Sequence, residues 1–438
     1  MRERFLLSLA GLFVIASTAA LALIPFARAN TWAAEVAEWD LRFLFFPLIW
    51  LLCALAAYVI TNNHLPGHDA FLLPITFLLS GWGLALIWRL TPNFGWRQTL
   101  WLAVATLALI LTVRFAGDLR WLRRYRYTWL TLGLALTALT FIIGVNPEGS
   151  GARLWLGGLA GVFLQPVEPL KLLLVVFLAA YLAERREQIF TPSLPLSTLP
   201  PSASSGQAVS RFPYFLPLLL MWSFSMLLVI AQRDLGAGAL FFGVFVVMLY
   251  LASGRVWVLG AGAALLVLGG VGAFWLFDVV RVRVEAWWNP WTDPTGRSFQ
   301  IVQALIALAA GGMVGAGPGL GAPTLVPVAH SDFIFAALAE EWGLAGMLAA
   351  LSLMAALVLR GLHIALNARN PFNQLLAAGL ATLTGLQALL IIGGVIKVIP
   401  LTGVTFPFMS YGGSSLAAQF VMIGLLLRLS DNSVKRET

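Results

Sequence analysis

Charge is what this chain lacks most. Only 11% of its 438 residues are Asp, Glu, Lys or Arg, where a soluble domain carries roughly 25%. With 60% hydrophobic residues, a water-facing surface has too little to solvate it, and a soluble globule is excluded. Cysteine is nearly absent: Cys53 stands alone inside an apolar run, so an intrachain disulfide is excluded and the residue reads as core. Histidine and cysteine are too few and too scattered to suggest a dedicated metal site. The glycines at 311, 312, 315, 317, 319 and 321 lack the following Gly-Lys-Ser/Thr of a nucleotide-phosphate loop. They suit tight loop folding or close helix approach instead.

What the chain has is long apolar runs. About 20 such residues cross a hydrocarbon core of roughly 30 Å, and twelve candidates fit: 5–27, 43–61, 70–90, 97–114, 125–144, 168–184, 213–231, 236–253, 256–278, 333–359, 372–396 and 405–428. In lipid each backbone polar group needs a partner within its own segment, so these are helices and the fold class is all-α, a polytopic membrane protein. The N-terminal stretch has the basic head and A-R-A tail of a secretory signal, but its apolar run exceeds the roughly 7–15 residues of a signal core. It reads as a retained helix. An even count of spans puts both termini on one side. Arg2 and Arg4, the arginine-rich 114–126 loop, and Arg428, Lys435 and Arg436 make that side cytoplasmic by the positive-inside rule. The net charge of +8 then reflects orientation and contact with anionic lipid, not nucleic acid.

Two connections depart from this pattern. Residues 185–212 contain a Pro/Ser-rich stretch without apolar period, a flexible cytoplasmic linker. Residues 279–332 form a long external loop dense in Trp, Gly, Pro and Arg, and long loops in compact structures are commonly functional. The loop ends on His330, Ser331 and Asp332, and Glu340 and Glu341 follow two turns into the next span. From spacing alone Asp332 has two readings: a carboxylate poised for proton transfer, or a cap on the helix beginning near 333. Ser331 is the other candidate cap, and neither has the Glu or Gln of a capping box. Carboxylates inside a membrane are costly and normally paired, so Glu340 and Glu341 read as packing or pairing groups, one of them against a buried Arg. Glu168 and Lys171, three apart, share a helix face and suit a salt bridge.

Four stretches carry a resemblance. "GARLWLGGLAGVFLQPVEPLKL" is similar to G-x-x-R-W followed by Q-P-S-E-x-x-K, and "QRDLGAG" to Q-P-D-L-G-T/S. "NPWTDPTGRSFQIVQALIALAAGGMVGAGPGLG" with "AHSDFIFAALAEEWG" is similar to an external loop ending A-H-T-D-F-I-F-x-x-x-x-E-E-x-G. "IPLTGVTFPFMSYGGSSL" is similar to P-x-T-G-x-x-x-P-x-x-S-Y-G-G-S-S. In this order and spacing, over residues 70–430, they resemble the SEDS family (shape, elongation, division and sporulation; FtsW/RodA/SpoVE-type). Departures are Val167 for the usual Ser, Arg233 for Pro, Ala237 for Thr or Ser, and Val328 for Glu. The family usually has ten spans, so residues 1–69 would add two N-terminal helices to a ten-helix core, with 431–438 a cytoplasmic tail.

The resemblance implies an inverting glycosyltransferase of the bacterial plasma membrane. It would polymerise lipid II into peptidoglycan glycan strands on the outer face, for cell division or elongation, beside a class B penicillin-binding protein that crosslinks them. Asp332 occupies the position of the family's essential acidic residue, and so is the expected general base. Inverting chemistry needs one base opposite the leaving group, and a diphosphate departs without a proton where cations absorb its charge. Arg153, Lys171 and Arg283 match family positions and are the expected cations. Lys171 has the salt bridge with Glu168 as its alternative, and Arg233 and Arg297 have weaker support. His330 is expected to orient Asp332 or meet diphosphate, or else to be structural. Ser410, Ser414 and Ser415 of "SYGGSS" either line a groove for sugar or lipid or serve close packing. Trp155 belongs to a matched motif, while most other Trp residues suit the interfacial belt. The motifs specify no definite cofactor; a divalent cation (Mg or Mn) is compatible with the diphosphate. The competing class is a lipid II flippase, which would carry mid-membrane charge and repeated halves. No internal repeat is found here.

Overall fold

The computed structural model describes residues 2–29, 45–115, 117, 119–146, 153–157, 163–190 and 212–434. Of the linker expected at 185–212, residues 185–190 and 212 are helical and 191–211 lie outside the described residues; of the tail expected at 431–438, residues 431–434 still belong to the last helix and the rest lie outside. The elements in order are α1 (Arg2–Ala29), α2 (Phe45–His64), α3 (Leu72–Leu90), α4 (Pro92–Phe115), α5 (Arg120–Arg124), α6 (Arg126–Ile143), β1 (Leu156–Gly157), β2 (Phe163–Leu164), α7 (Val167–Phe190), α8 (Phe212–Ala231), α9 (Leu235–Ser253), α10 (Trp257–Leu276), α11 (Asp278–Trp288), α12 (Phe299–Gly311), α13 (Ile334–Leu366), α14 (Pro371–Val395) and α15 (Gly413–Val434). The all-α membrane fold is as expected; β1 and β2 form only a two-residue antiparallel hairpin.

Eleven of the helices are long and apolar enough to cross a membrane. The twelfth predicted span, α7, is 24 residues long, about 36 Å at 1.5 Å per residue, but carries Glu168 and Lys171 at one end and Glu184, Arg185 and Arg186 at the other. It tolerates them because it is central. Its middle, from Leu174 to Leu182, is buried against α6, α9 and α14, so lipid does not meet it. Helix α10 is the opposite case, with most of its surface exposed. α1 and α2 pack on α3: a Cβ at Gly81 would meet Val14 at 2.5 Å and Trp50 at 2.7 Å, and the rings of Phe13 and Trp82 lie edge-on at 5.3 Å.

Two expectations need correction. The 279–332 segment is not a plain loop, since it contains α11 and the apolar α12, whose 13 residues are too few to span. The last span begins at Gly413, not 405. The positive φ of Phe408 interrupts any helix there, and Pro407 has no amide to donate to one.

α13 is two helices joined at Gly343, where φ is +62° and ψ −162°. A break within a span frees backbone groups that lipid cannot satisfy, and here the glycine-rich end of α12 supplies partners. Leu344 and Ala345 amides donate to the Gly312 and Met313 carbonyls at 2.9 and 3.0 Å, and the Ala316 and Gly317 amides donate to Glu340 and Glu341 carbonyls at 2.9 and 3.0 Å. The glycines are needed for this docking, because a Cβ at Gly311 would lie 1.9 Å from the Ala339 carbonyl and one at Gly315 2.2 Å from that of Glu341. Both carboxylates fix the same loop. Glu340 accepts from the Ala322 amide at 2.6 Å, and Glu341 pairs with Arg89 at 3.4 Å while Arg89 also donates to the Gly319 and Gly321 carbonyls. Glu341→Ala leaves the Arg89 charge without its carboxylate, held among the described residues by the Gly319 and Gly321 carbonyls, so the cost falls below the roughly 3–5 kcal/mol of a fully buried pair. A clear drop in the thermal unfolding midpoint of the detergent-solubilised protein is expected, with Arg89→Met/Glu341→Leu recovering part of it.

Candidate functional site

Asp332 lies half-buried at the end of the 279–332 segment, one residue before Phe333, from which α13 starts. Phe333, not Ser331 or Asp332, is the N-cap residue of α13, and its side chain makes no capping hydrogen bond. Instead Asp332 Oδ1 accepts from Ser331 Oγ at 2.7 Å, while Oδ2 faces the 396–412 loop between α14 and α15. There Gly403 has φ +75°, and the position of a Cβ on it lies 3.6 Å from Asp332 Oδ2, 3.4 Å from Arg283 Nη2 and 3.9 Å from Arg283 Nη1. The carboxylate and the guanidinium thus converge on one glycine, whose missing side chain keeps the space between them open. Arg283 comes from α11, and its Nη1 donates to the Thr402 carbonyl at 3.0 Å. A second tie on α11, from Trp287 Nε1 to the Lys397 carbonyl at 3.1 Å, holds that helix to the same loop.

The serine-rich motif is the clamp behind this carboxylate. Ser410 Oγ donates to the Ser331 carbonyl at 2.6 Å and accepts from the Phe406 amide at 2.9 Å, and the Tyr411 amide donates to the His330 carbonyl at 2.8 Å. Ser415 Oγ is held by Thr405 Oγ1 and Gln419, and Ser414 Oγ accepts from the Gln165 amide at 3.2 Å. All three serines are buried. Their hydroxyls are engaged within the protein, so of the two readings it is close packing that the geometry favours. His330 packs its ring against Phe94, centroids 4.5 Å apart, and Tyr411 at 5.7 Å. Burial pushes its imidazole below the ordinary value, so it is neutral at neutral pH. It sits as an aromatic wedge two residues from Asp332.

A second group of charges sits where α7 and α9 begin. Lys171 Nζ bonds Glu168 Oε1 at 2.8 Å, both side chains buried, so the expected salt bridge forms. Beside it is Asp234, the N-cap of α9, which accepts from the Ala237 amide at 3.0 Å. Burial pushes the Asp234 carboxyl up; the Ala237 amide and Lys171 pull it down, Glu168 raises it and Arg283 lowers it. Through Asp234 the pair on α7 and Arg283 therefore share one electrostatic neighbourhood. Arg153 is exposed on the segment leading to Trp155, and no contact with this cluster is found among the described residues.

Asp234, Thr402 and Gly403 stand within the matched motifs, where sequence alone assigns them no role. Asp234 had a usable signal, being the carboxylate that opens a 19-residue helix without another charge. Gly403 had none, because its neighbours come from α11 and the segment before α13. Arg233, one of the departures, has φ +60° and an amide that donates to the Ile230 carbonyl at 2.9 Å. Proline can do neither, so the substitution goes with a local turn that the usual residue could not adopt. Among the described residues no three His, Cys, Asp or Glu side chains are grouped to hold a metal ion.

Comparisons with known proteins agree with this arrangement. The family model for FtsW, RodA and SpoVE, described as cell cycle protein, matches residues 73–435. That stretch starts after α2. The peptidoglycan glycosyltransferase RodA of Mycobacterium tuberculosis is 37% identical over 434 residues, covering 94% of this chain and 90% of that protein. Stage V sporulation protein E of Bacillus subtilis is 32% identical over 382 residues, covering 83% of this chain and 96% of that one. Among solved structures, a chain of a peptidoglycan synthase complex that coordinates polymerization and crosslinking superposes with a TM-score of 0.67 at 26% identity, covering 84% of this chain and 98% of that chain. The rod shape determining protein RodA of Thermus thermophilus gives 0.59 at 25% identity, covering 83% and 96%. With most of its length matched, and with the Asp332, Glu168–Lys171 and SYGGSS motifs assembled around one end of the bundle, the chain belongs to the FtsW/RodA/SpoVE family.

Proposed function

We infer that the protein is a peptidoglycan glycosyltransferase that polymerises lipid II by inverting transfer. The observation that carries this is the convergence of Asp332 and Arg283 on the space left by Gly403. In the proposed step the acceptor 4-hydroxyl oxygen attacks the anomeric carbon of the donor, and its proton passes to the Asp332 carboxylate. The bond from the anomeric carbon to the lipid diphosphate breaks, and its electron pair leaves with the diphosphate. Arg283 offsets that charge as a fixed cation already held in place by the Thr402 carbonyl. Lys171, held on Glu168, and Asp234 set the field behind Arg283. One carboxylate suffices, since the leaving group takes no proton.

The arginine-rich 114–126 segment and the termini are assigned to the cytoplasm, which puts Asp332 at the outer face. A class B penicillin-binding protein is the proposed crosslinking partner. The test is direct: the purified chain with such a partner, given lipid II, yields a polymer that a muramidase degrades. If no polymer forms while lipid II in vesicles changes leaflet when the protein is present, the transporter reading replaces this one.

A further inference from the structure

Beside the Asp332 loop lies a cleft of about 530 Å³ that the reaction as written does not use. Its walls include Trp88 at the end of α3, Asn93, Phe94, Trp96 and Arg97 at the start of α4, and Phe45 at the start of α2. Phe45 and Trp96 are about half exposed, and their rings meet edge-on at 6.1 Å. The cleft is tied to the catalytic loop twice. Phe94 packs against both His330 and Tyr411, centroids 4.5 and 4.6 Å apart, and the Arg97 guanidinium is near enough to the Tyr411 phenol to favour its ionised form. Arg283 and Gly403 approach Asp332 by way of Thr402. The cleft joins the same loop through His330 and Tyr411. The two features therefore meet the segment that carries Asp332 through different neighbours.

We propose that this cleft is the subsite for the acceptor saccharide, with α2 supplying one of its walls. This rests on the glycosyltransferase reading. The argument is one of chemistry and size. Sites of roughly 300–1,000 Å³ take small ligands, and this one has the volume for a disaccharide. Indole and phenyl faces pack on the C–H faces of sugars, while Asn93 and Arg97 offer donors to hydroxyl, amide or carboxylate groups. An acceptor seated there presents its hydroxyl to Asp332, leaving the Arg283 approach to the donor diphosphate. It also gives α2, which precedes the stretch matched by the family model, a part in the site.

The test separates donor from acceptor in the full-length protein. A lipid II whose 4-hydroxyl is capped by an extra sugar acts only as donor, and a short lipid-free amino-sugar strand acts only as acceptor. Single coupling is followed with each varied in turn. Phe45→Ala and Trp96→Ala are expected to raise the acceptor concentration for half-maximal rate about three- to tenfold, the worth of one aromatic contact. Donor half-saturation and the unfolding midpoint should stay at wild-type values. Trp96→Phe should regain most of the loss, and Leu52→Ala, on the exposed side of α2, should change neither constant. Wild-type acceptor constants in both alanine variants overturn the proposal. So does an equal loss for donor and acceptor together with a lower unfolding midpoint. If the wild-type protein couples nothing, the glycosyltransferase reading itself fails, and that outcome is distinct from the other two.

Discussion

Asp332→Asn is expected to abolish strand synthesis while leaving the protein folded. A positioned general base contributes about 10²- to 10⁴-fold, and among the described residues the neighbouring carboxylates are engaged elsewhere, Glu168 with Lys171. Glu340 is held by the Ala322 amide, Glu341 pairs with Arg89, and Asp234 is spent as an N-cap. The amide keeps the shape of the side chain and can still accept from Ser331 Oγ. The loop remains pinned through backbone and Ser410 contacts that do not involve the Asp332 carboxylate. The unfolding midpoint in detergent should therefore move by only a few degrees while polymer yield falls by at least about a hundredfold. Equal yields of polymer from the variant and the wild type, measured with the same partner and lipid II, would make Asp332 a structural residue and reduce the protein to a scaffold for its partner.

Much of this was legible in the chain because membrane spans write themselves in composition. The helices are long, nearly uncharged runs, and their limits fail only where something other than hydropathy decides. α7 is polar by count yet central by packing. α12 is apolar yet too short to cross, and its use as a plug for the Gly343 break depends on contacts between segments about 30 residues apart. The same division holds at the site. Asp332, Arg283, Glu168 and Lys171 are ionisable groups in an apolar chain, and rarity makes them visible. Ser410, Ser414 and Ser415 are visible in the sequence as a hydroxyl cluster, but their role as a clamp depends on partners at Ser331, Phe406, Thr405 and Gln165. Gly403 and Phe45 say nothing by themselves. One matters through the side chain it lacks, the other through a cleft built by three helices.

Arg283→Ala should weaken use of the donor far more than it weakens the fold. In the structure the guanidinium is half-buried, and among the described residues its Nη1 donates to the Thr402 carbonyl. α11 keeps its other anchor through Trp287. Loss of a charged hydrogen bond of this kind costs about 1.5–3 kcal/mol if the carbonyl is left dry, and water entering the vacated space beside Gly403 reduces that. Against the developing charge of a departing diphosphate, removing one fixed donor costs about 10²- to 10³-fold in rate. Capped lipid II as donor should then show a lower maximal rate and a higher half-saturation concentration, with the acceptor constant unchanged. Arg283→Lys should recover only part, because an ammonium supplies the charge without the planar fork that can hold Thr402 and a phosphate oxygen at once. A variant that melts early and loses donor and acceptor use alike would mean that Arg283 braces α11 against the 396–412 loop and has no role toward the leaving group.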